Sequence, residues 1–157
     1  MHQEAVDAVH TVAEREAVAA ALIRQRVEGC VKAIRAKDID GVLSLYAPEI
    51  VSFDIVPPLR YFGADNKRRA WQAAFATYDG PIAYEAHDLS VTTQGELAFV
   101  HSLNHISGTL AGGHSSDLWL RWTACFRRIE GVWLVVHDHA SVPADLEHGK
   151  AAVNLRP

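Results

Sequence analysis

The chain has 157 residues, 49% hydrophobic and 22% charged, with a formal net charge of -4. That length suits one globular domain able to build a core without disulfide or metal staples. The acidic balance excludes the basic stripe that a nucleic-acid surface needs to displace counterions. Two cysteines, Cys30 and Cys125, are too few for a disulfide framework. The start MHQEAVDAVH lacks the basic and then apolar regions of a secretory signal, and charges interrupt every window long enough to cross a membrane. The expectation is a cytoplasmic protein of one domain over residues 1–157, with a helical extension at 1–19, a tail at 144–157, and no nucleic-acid or membrane partner.

From Met1 to about Lys37 there is no proline and a single glycine, Gly29, so the segment reads as helix. Ile23, Val27, Cys30, Val31 and Ile34 recur at three- and four-residue spacing and give it one apolar stripe. Asp38 is placed to accept the free amide hydrogens of a short second helix, which Pro48 ends. Ile50 to Asp54 reads as a strand stopped by Pro57 and Pro58, which leaves Asp54 at its end. After Gly63, ADNKRRAWQAAFATYD has helical character up to Gly80, with Ala70, Trp71, Ala74, Phe75 and Tyr78 on one face. Beyond Pro81 the chain turns β-branched and aromatic: Ile82 to Thr93, Leu97 to Leu110, Ser116 to Ile129 and Val132 to Ser141 are strands separated by Gln94-Gly95, Gly112-Gly113 and Glu130-Gly131. Helices first and an antiparallel meander after define an α+β class, a curved antiparallel sheet packed against N-terminal helices and enclosing a cavity on its concave side.

Histidine is the residue type to place. There are nine, and seven fall in the C-terminal half. Side chains alternate along a strand, so His101 and His105 share a face, as do His137 and His139. A two-residue turn at Glu130-Gly131 puts His137 opposite Ala124 and His139 opposite Trp122. A two-residue turn at Gly112-Gly113 puts His101 opposite Ala124 and His105 opposite Leu120. All four imidazoles then land on the face of Trp122, although one bulge or a three-residue loop reverses the parity of a strand. The bland alternative is four ordinary hydrogen-bonded histidines at a dimer interface or on a wet outer face.

Asp54 at a strand end, facing apolar walls of Trp71, Phe75 and Trp122, is a candidate general base, with His137 or His139 relaying its proton. The H-x-H of His137 and His139 with His101 is also a weak candidate for zinc, though the reading settles on no metal. Arg60, Lys67, Arg68 and Arg69 read as a solvated basic cluster, and no Gly-rich phosphate cradle accompanies them. Cys30 and Cys125 read as buried small hydrophobes. Trp119, Arg121, Thr123 and Cys125 fall on the face opposite Trp122, where Trp119 and Arg121 suit interface anchors.

Three stretches, AKDIDGVLSLYAPEIVSFD, the Gly63 to Trp71 helix start and GVWLVVHDHASVP, carry a resemblance to the nuclear-transport-factor-2-like superfamily. Its members include ketosteroid isomerases, SnoaL-like polyketide cyclases and the association domain of calcium/calmodulin-dependent kinase. The resemblance covers about Ala20 to Pro143 and implies a cone-shaped α+β fold and face-to-face sheet dimers. It places Asp54 on the general base of the ketosteroid isomerases. Cys30 falls where their oxyanion tyrosine would be and Trp122 where their protonated aspartate would be, so both oxyanion donors of that design are missing. Steroid isomerisation is therefore not expected. Two functions stay open: a cofactor-independent isomerase, cyclase or hydratase acting on a small apolar carbonyl compound through Asp54, His137 and His139, with Cys30, Trp71, Phe75, His101, His105 and Trp122 against the substrate, or a non-catalytic module that binds a ligand or supports assembly.

Overall fold

The computed structural model describes residues 11–157. The helical character read into residues 1–10 lies outside the described residues. α1 runs Val12–Arg35 and opens on a capping box, in which Thr11 accepts from the Glu14 amide at 3.2 Å and Glu14 accepts from the Thr11 amide at 2.6 Å. Ile23, Val27, Cys30 and Ile34, spaced to one face, are its buried stripe. α2 (Ile39–Leu43) begins on Asp38, whose side chain accepts from the Gly41 amide at 3.1 Å. α3 spans Ala64–Ala76. No described helix is long and apolar enough to cross a membrane.

The strands are β1 (Tyr46–Phe53), β2 (Tyr61–Phe62), β3 (Tyr78–Gln94), β4 (Leu97–Leu110), β5 (Ser115–Ile129) and β6 (Val132–Ser141), in the sheet order β2-β1-β6-β5-β4-β3. β1 starts four residues earlier than the sequence suggests and carries Pro48 within it. It runs parallel to β6, whereas every other pair in the sheet is antiparallel. The sheet is thus mixed and open: β1 enters from a helix, so no hairpin dictates its direction. α3 stops three residues before the expected Asp79, because Tyr78 already pairs with Leu110 on β4. The presumed tail contains β7 (Ala144–Asp145) and β8 (Lys150–Ala151), which pair with each other. Between helices and sheet lies the core: Ile23, Val42, Leu45, Ile50, Val100, Phe126 and Val135 are all but inaccessible, each stabilising the fold by about 1.5–3 kcal/mol of apolar burial.

Two local features decide which face each histidine takes. At Gly112-Gly113 the loop has three residues, Ala111 to Gly113, closed by the Leu110 amide donating to the His114 carbonyl at 2.7 Å. Gly112 and Gly113 both hold positive φ, 107° and 87°, a conformation that only glycine adopts at low cost. His101 therefore opposes Thr123 and His105 opposes Trp119. At Glu130-Gly131 the two-residue turn forms as expected, with both residues at positive φ, and Ile129 pairs with Val132. A bulge at Val136 then shifts the register, so His137 opposes Cys125 and His139 opposes Thr123. One extra residue in each place sends His101, His105, His137 and His139 to the face turned away from the helices. They share it with Trp119, Arg121, Thr123 and Cys125.

Candidate active site

A cavity of about 470 Å³ lies between α1, α3 and the helix-facing side of the sheet. Val27, Val31 and Ile34 of α1, Ala70 and Ala74 of α3, and Ile106, Leu118 and Leu120 of the sheet make its walls apolar. Polar groups enter at few points, the usual construction of a small-molecule site.

The first is Lys67, in the opening turns of α3. Positions 67, 71 and 75 fall on one helical face, so Lys67 continues the inward stripe of Trp71 and Phe75 and is only 4% exposed. Its Nζ donates to Ser52 Oγ at 2.7 Å and pairs with Asp138 Oδ2 at 3.2 Å and Asp54 Oδ2 at 3.7 Å. It also stands 5.3 Å from the centroid of the Tyr46 ring. Strand alternation supplies the partners: Ser52 faces inward on β1, and the Val136 bulge turns Asp138, rather than its flanking histidines, into the cavity. Asp138 is 2% exposed and accepts a further bond from Trp122 Nε1 at 3.4 Å. Two carboxylates around one ammonium satisfy charges that would otherwise be costly to bury.

A second string crosses the cavity wall: Ser102 Oγ donates to Asn104 Oδ1 at 2.7 Å, and Asn104 Nδ2 donates to Tyr84 Oη at 2.8 Å. Burial, reinforced by the neighbouring Cys30, raises the Tyr84 pKa above the usual phenol range. Burial and then the Asp138 charge do the same for Tyr46. Both phenols keep their protons at neutral pH. Burial pushes the Cys30 thiol up to about 12, so it is neither a nucleophile nor more than a weak donor.

Of the residues singled out from sequence, Asp54, Cys30, Trp71 and Trp122 meet around this cavity. Phe75 is buried behind Trp71, ring centroids 5.6 Å apart, and is not among the cavity's lining residues. The four histidines lie on the other side of the sheet. His137 Nδ1 is 2.7 Å from the Val51 carbonyl, and both His137 and His139 pack edge-on against Phe53. His105 stacks on Trp119 at 4.7 Å and bonds Asp117 at 2.8 Å. The sheet separates these imidazoles from the cavity that Asp54 lines, so the expected proton relay has no path. Nor do the three proposed zinc ligands converge: among the described residues, no three His, Cys, Asp or Glu side chains are grouped to hold a metal. Lys67 is likewise no part of a solvated cluster; Arg68 beside it is, pairing with Asp40 at 2.9 Å on the surface. The helical stripe 67-71-75 was the signal that could have found Lys67. Asp138 had no such signal, since only the bulge aims it inward.

Asp54 meets the end of β1 at a cavity mouth flanked by Ile55, Val56, Pro57 and Tyr61. Its side chain is 23% accessible and Oδ1 accepts from the Ile55 amide at 2.8 Å. The profile of the SnoaL-like domain matches residues 23–145, a range that contains every residue lining this cavity. The chain belongs to the SnoaL-like domain family. No curated protein matches it. Among solved structures, this SnoaL-like chain is 34% identical to an NTF2-like protein of unknown function from Pseudomonas putida KT2440, with a TM-score of 0.82 over 90% of this chain and 98% of that one. A ketosteroid isomerase-like protein from Erwinia carotovora atroseptica SCRI1043 is 23% identical, with a TM-score of 0.67 over 78% and 94% of the two chains. A proposed dehydratase of the NTF2-like family from Streptomyces avermitilis is 18% identical, with a TM-score of 0.70 over 80% and 97%. The latter two share the fold with the SnoaL-like chain. The expected cone-like α+β architecture and NTF2-like kinship both stand.

Proposed function

We propose that this SnoaL-like protein is a cofactor-independent proton-transfer enzyme, of the isomerase, cyclase or hydratase kind, acting on a small and largely apolar carbonyl compound. One observation carries the reading: the Asp54 carboxylate stands 3.7 Å from the buried Lys67 ammonium at the edge of an otherwise apolar cavity. In the proposed step, Asp54 takes a proton from the carbon next to the carbonyl. The C–H bond breaks, an O–H bond forms on Asp54, and the electron pair moves onto the carbonyl oxygen. Lys67 holds Asp54 in place and lends positive potential to the developing enolate in a site of low dielectric. The names of the isomerase-like and dehydratase-like structural relatives support this class of chemistry. His137 and His139 take no part.

The test uses 2-tetralone, a compact apolar ketone with acidic α-hydrogens, incubated in D2O and followed by proton NMR. Wild-type protein accelerates exchange of those hydrogens, and Asp54→Asn lowers the rate at least a hundredfold, the usual scale of a positioned base. Equal exchange with wild type, Asp54→Asn and buffer refutes the reading. One observation favours the alternative of a ligand-binding module without catalysis: Cys30 is a weak donor and the Trp122 N–H is already spent on Asp138. That alternative survives only if 2-tetralone binds and does not exchange.

The same reading includes a homodimer through the outer sheet face around Trp119 and Arg121, supported by aromatic packing of Trp119 with His87 and His105. A cytoplasmic setting is proposed from two free thiols.

A further inference from the structure

Two groups of polar side chains enter the cavity, and the proposed chemistry uses only the one around Asp54 and Lys67. The other ends on Tyr84. Along β3 the side chains of Ile82, Tyr84 and Ala86 alternate toward the helices, and Tyr84 and Asn104 both stand in the cavity wall. Ser102, Asn104 and Tyr84 are 5%, 3% and 8% exposed. Donation runs in one direction through them, from Ser102 Oγ to Asn104 Oδ1 at 2.7 Å and from Asn104 Nδ2 to Tyr84 Oη at 2.8 Å. Among the described residues nothing accepts the hydrogen of the Tyr84 hydroxyl itself. Burial keeps that hydrogen in place at neutral pH. Each bond of such a string polarises the next, so the terminal phenol donates more strongly than an isolated one. A buried donor left without a partner is destabilising, and an occupant of the cavity completes it.

The sheet order sets Tyr84 apart from the reacting end. Asp54 follows β1, Tyr84 lies on β3, and β6, β5 and β4 run between them, so about 19 Å of curved sheet separates the two backbones. Ile106 of β4, Leu120 of β5 and Ala140 of β6 line the cavity along that stretch. A carbonyl placed at Asp54 therefore leaves Tyr84 to a different part of the ligand.

We infer that the Tyr84 hydroxyl is a second recognition point, donating to an acceptor oxygen at the end of the substrate remote from the carbonyl that meets Asp54. The inference rests on the proton-transfer reading for its near end and extends it by naming the substrate class: flat apolar compounds with an oxygen at both ends. A cavity of about 470 Å³ has room for such a frame.

The experiment compares 1,4-diacetylbenzene with 4-isopropylacetophenone, which has nearly the same shape but an isopropyl group in place of the second acetyl. Proton NMR titration measures the binding of each. Wild type holds the diketone at least fivefold more tightly, although the isopropyl compound is the more apolar and would bind better in a cavity without a distal donor. Tyr84→Phe removes the hydroxyl and keeps the ring. It weakens the diketone about tenfold, the factor equal to about 1.4 kcal/mol, and changes the isopropyl compound less than twofold. Equal losses for both probes reduce Tyr84 to a wall and overturn the inference. So does a wild-type preference below fivefold, or a cavity that neither probe fills at millimolar concentration. If Tyr84→Phe fails to fold, the order of the two probes on unaltered protein decides. The two ideas fail separately. Exchange of 2-tetralone that survives Asp54→Asn removes the proton-transfer reading, whereas a missing diketone preference beside Asp54-dependent exchange removes only the second recognition point.

Discussion

Replacing Lys67 with methionine keeps an unbranched, largely apolar side chain on the same face of α3 and deletes one charge. The deletion removes the 2.7 Å bond to Ser52 and the pairings with Asp138 at 3.2 Å and Asp54 at 3.7 Å. Asp54 is partly accessible and recovers water, but Asp138 is 2% exposed and keeps only the Trp122 N–H at 3.4 Å. Removing one partner of a buried pair costs about 3–5 kcal/mol, most of it from the charge left behind. At about 2–4 °C per kcal/mol for a chain of this size, Tm falls by roughly 6–20 °C. Urea unfolding followed by circular dichroism measures the free energy, and a thermal scan measures Tm. The double variant Lys67→Met/Asp138→Asn separates lost charge from lost shape. Asparagine still accepts from Trp122 and carries no charge, so the double variant regains at least half of the loss. A single variant within about 1 kcal/mol of wild type, or a double variant no better than the single, refutes the claim that Lys67 serves chiefly to balance Asp138.

The outer-face histidines give a contrasting outcome: His137→Ala/His139→Ala keeps 2-tetralone exchange within twofold of wild type, and a tenfold fall would return imidazole to the chemistry. On the alkaline side, the folded chain retains the Cys30 proton up to about 12 while the unfolded chain releases it near 9.0. Tyr46 and Tyr84 act in the same sense at higher pH. Between pH 9 and 11 the unfolded state therefore binds fewer protons and the urea midpoint falls as pH rises; a flat midpoint over that range contradicts this. Trp119→Glu places a charge at the centre of the proposed dimer face, so light scattering at micromolar concentration changes from dimer to monomer mass. A monomeric wild type rejects the interface.

Much of the fold was legible because its signals are local. The stripe of Ile23, Val27, Cys30 and Ile34 marks α1, Asp38 marks the start of α2, and the β-branched runs mark β4 to β6 nearly to the residue, whereas β3 begins at Tyr78, four residues before the expected Ile82. Period and capping are fixed by residues a few positions apart, so a window of sequence contains the whole cause. Asp54 and Trp122 were legible through resemblance, and both stand at the cavity. The hairpin at Glu130-Gly131 formed with the turn its residues favour, and the expected pairing held as far as Phe126 with Val135.

Alternation by itself says only that His101 shares a face with His105 and His137 with His139, and that much held; the two pairs still share one face because both registers moved by one residue. Whether that face looks at the helices depends on whether a loop has two residues or three and whether Val136 is paired or bulged. Those choices are settled by what the rest of the molecule gains. With the register formed, Val100, Ala124, Phe126, Val135 and Trp122 pack against the helices, and Asp138 meets Lys67 from an element 71 residues away. No neighbour in the sequence signals that meeting. Local composition thus determined the elements and their periods, while long-range burial of apolar surface and the pairing of Lys67 with Asp138 decided which polar groups line the cavity.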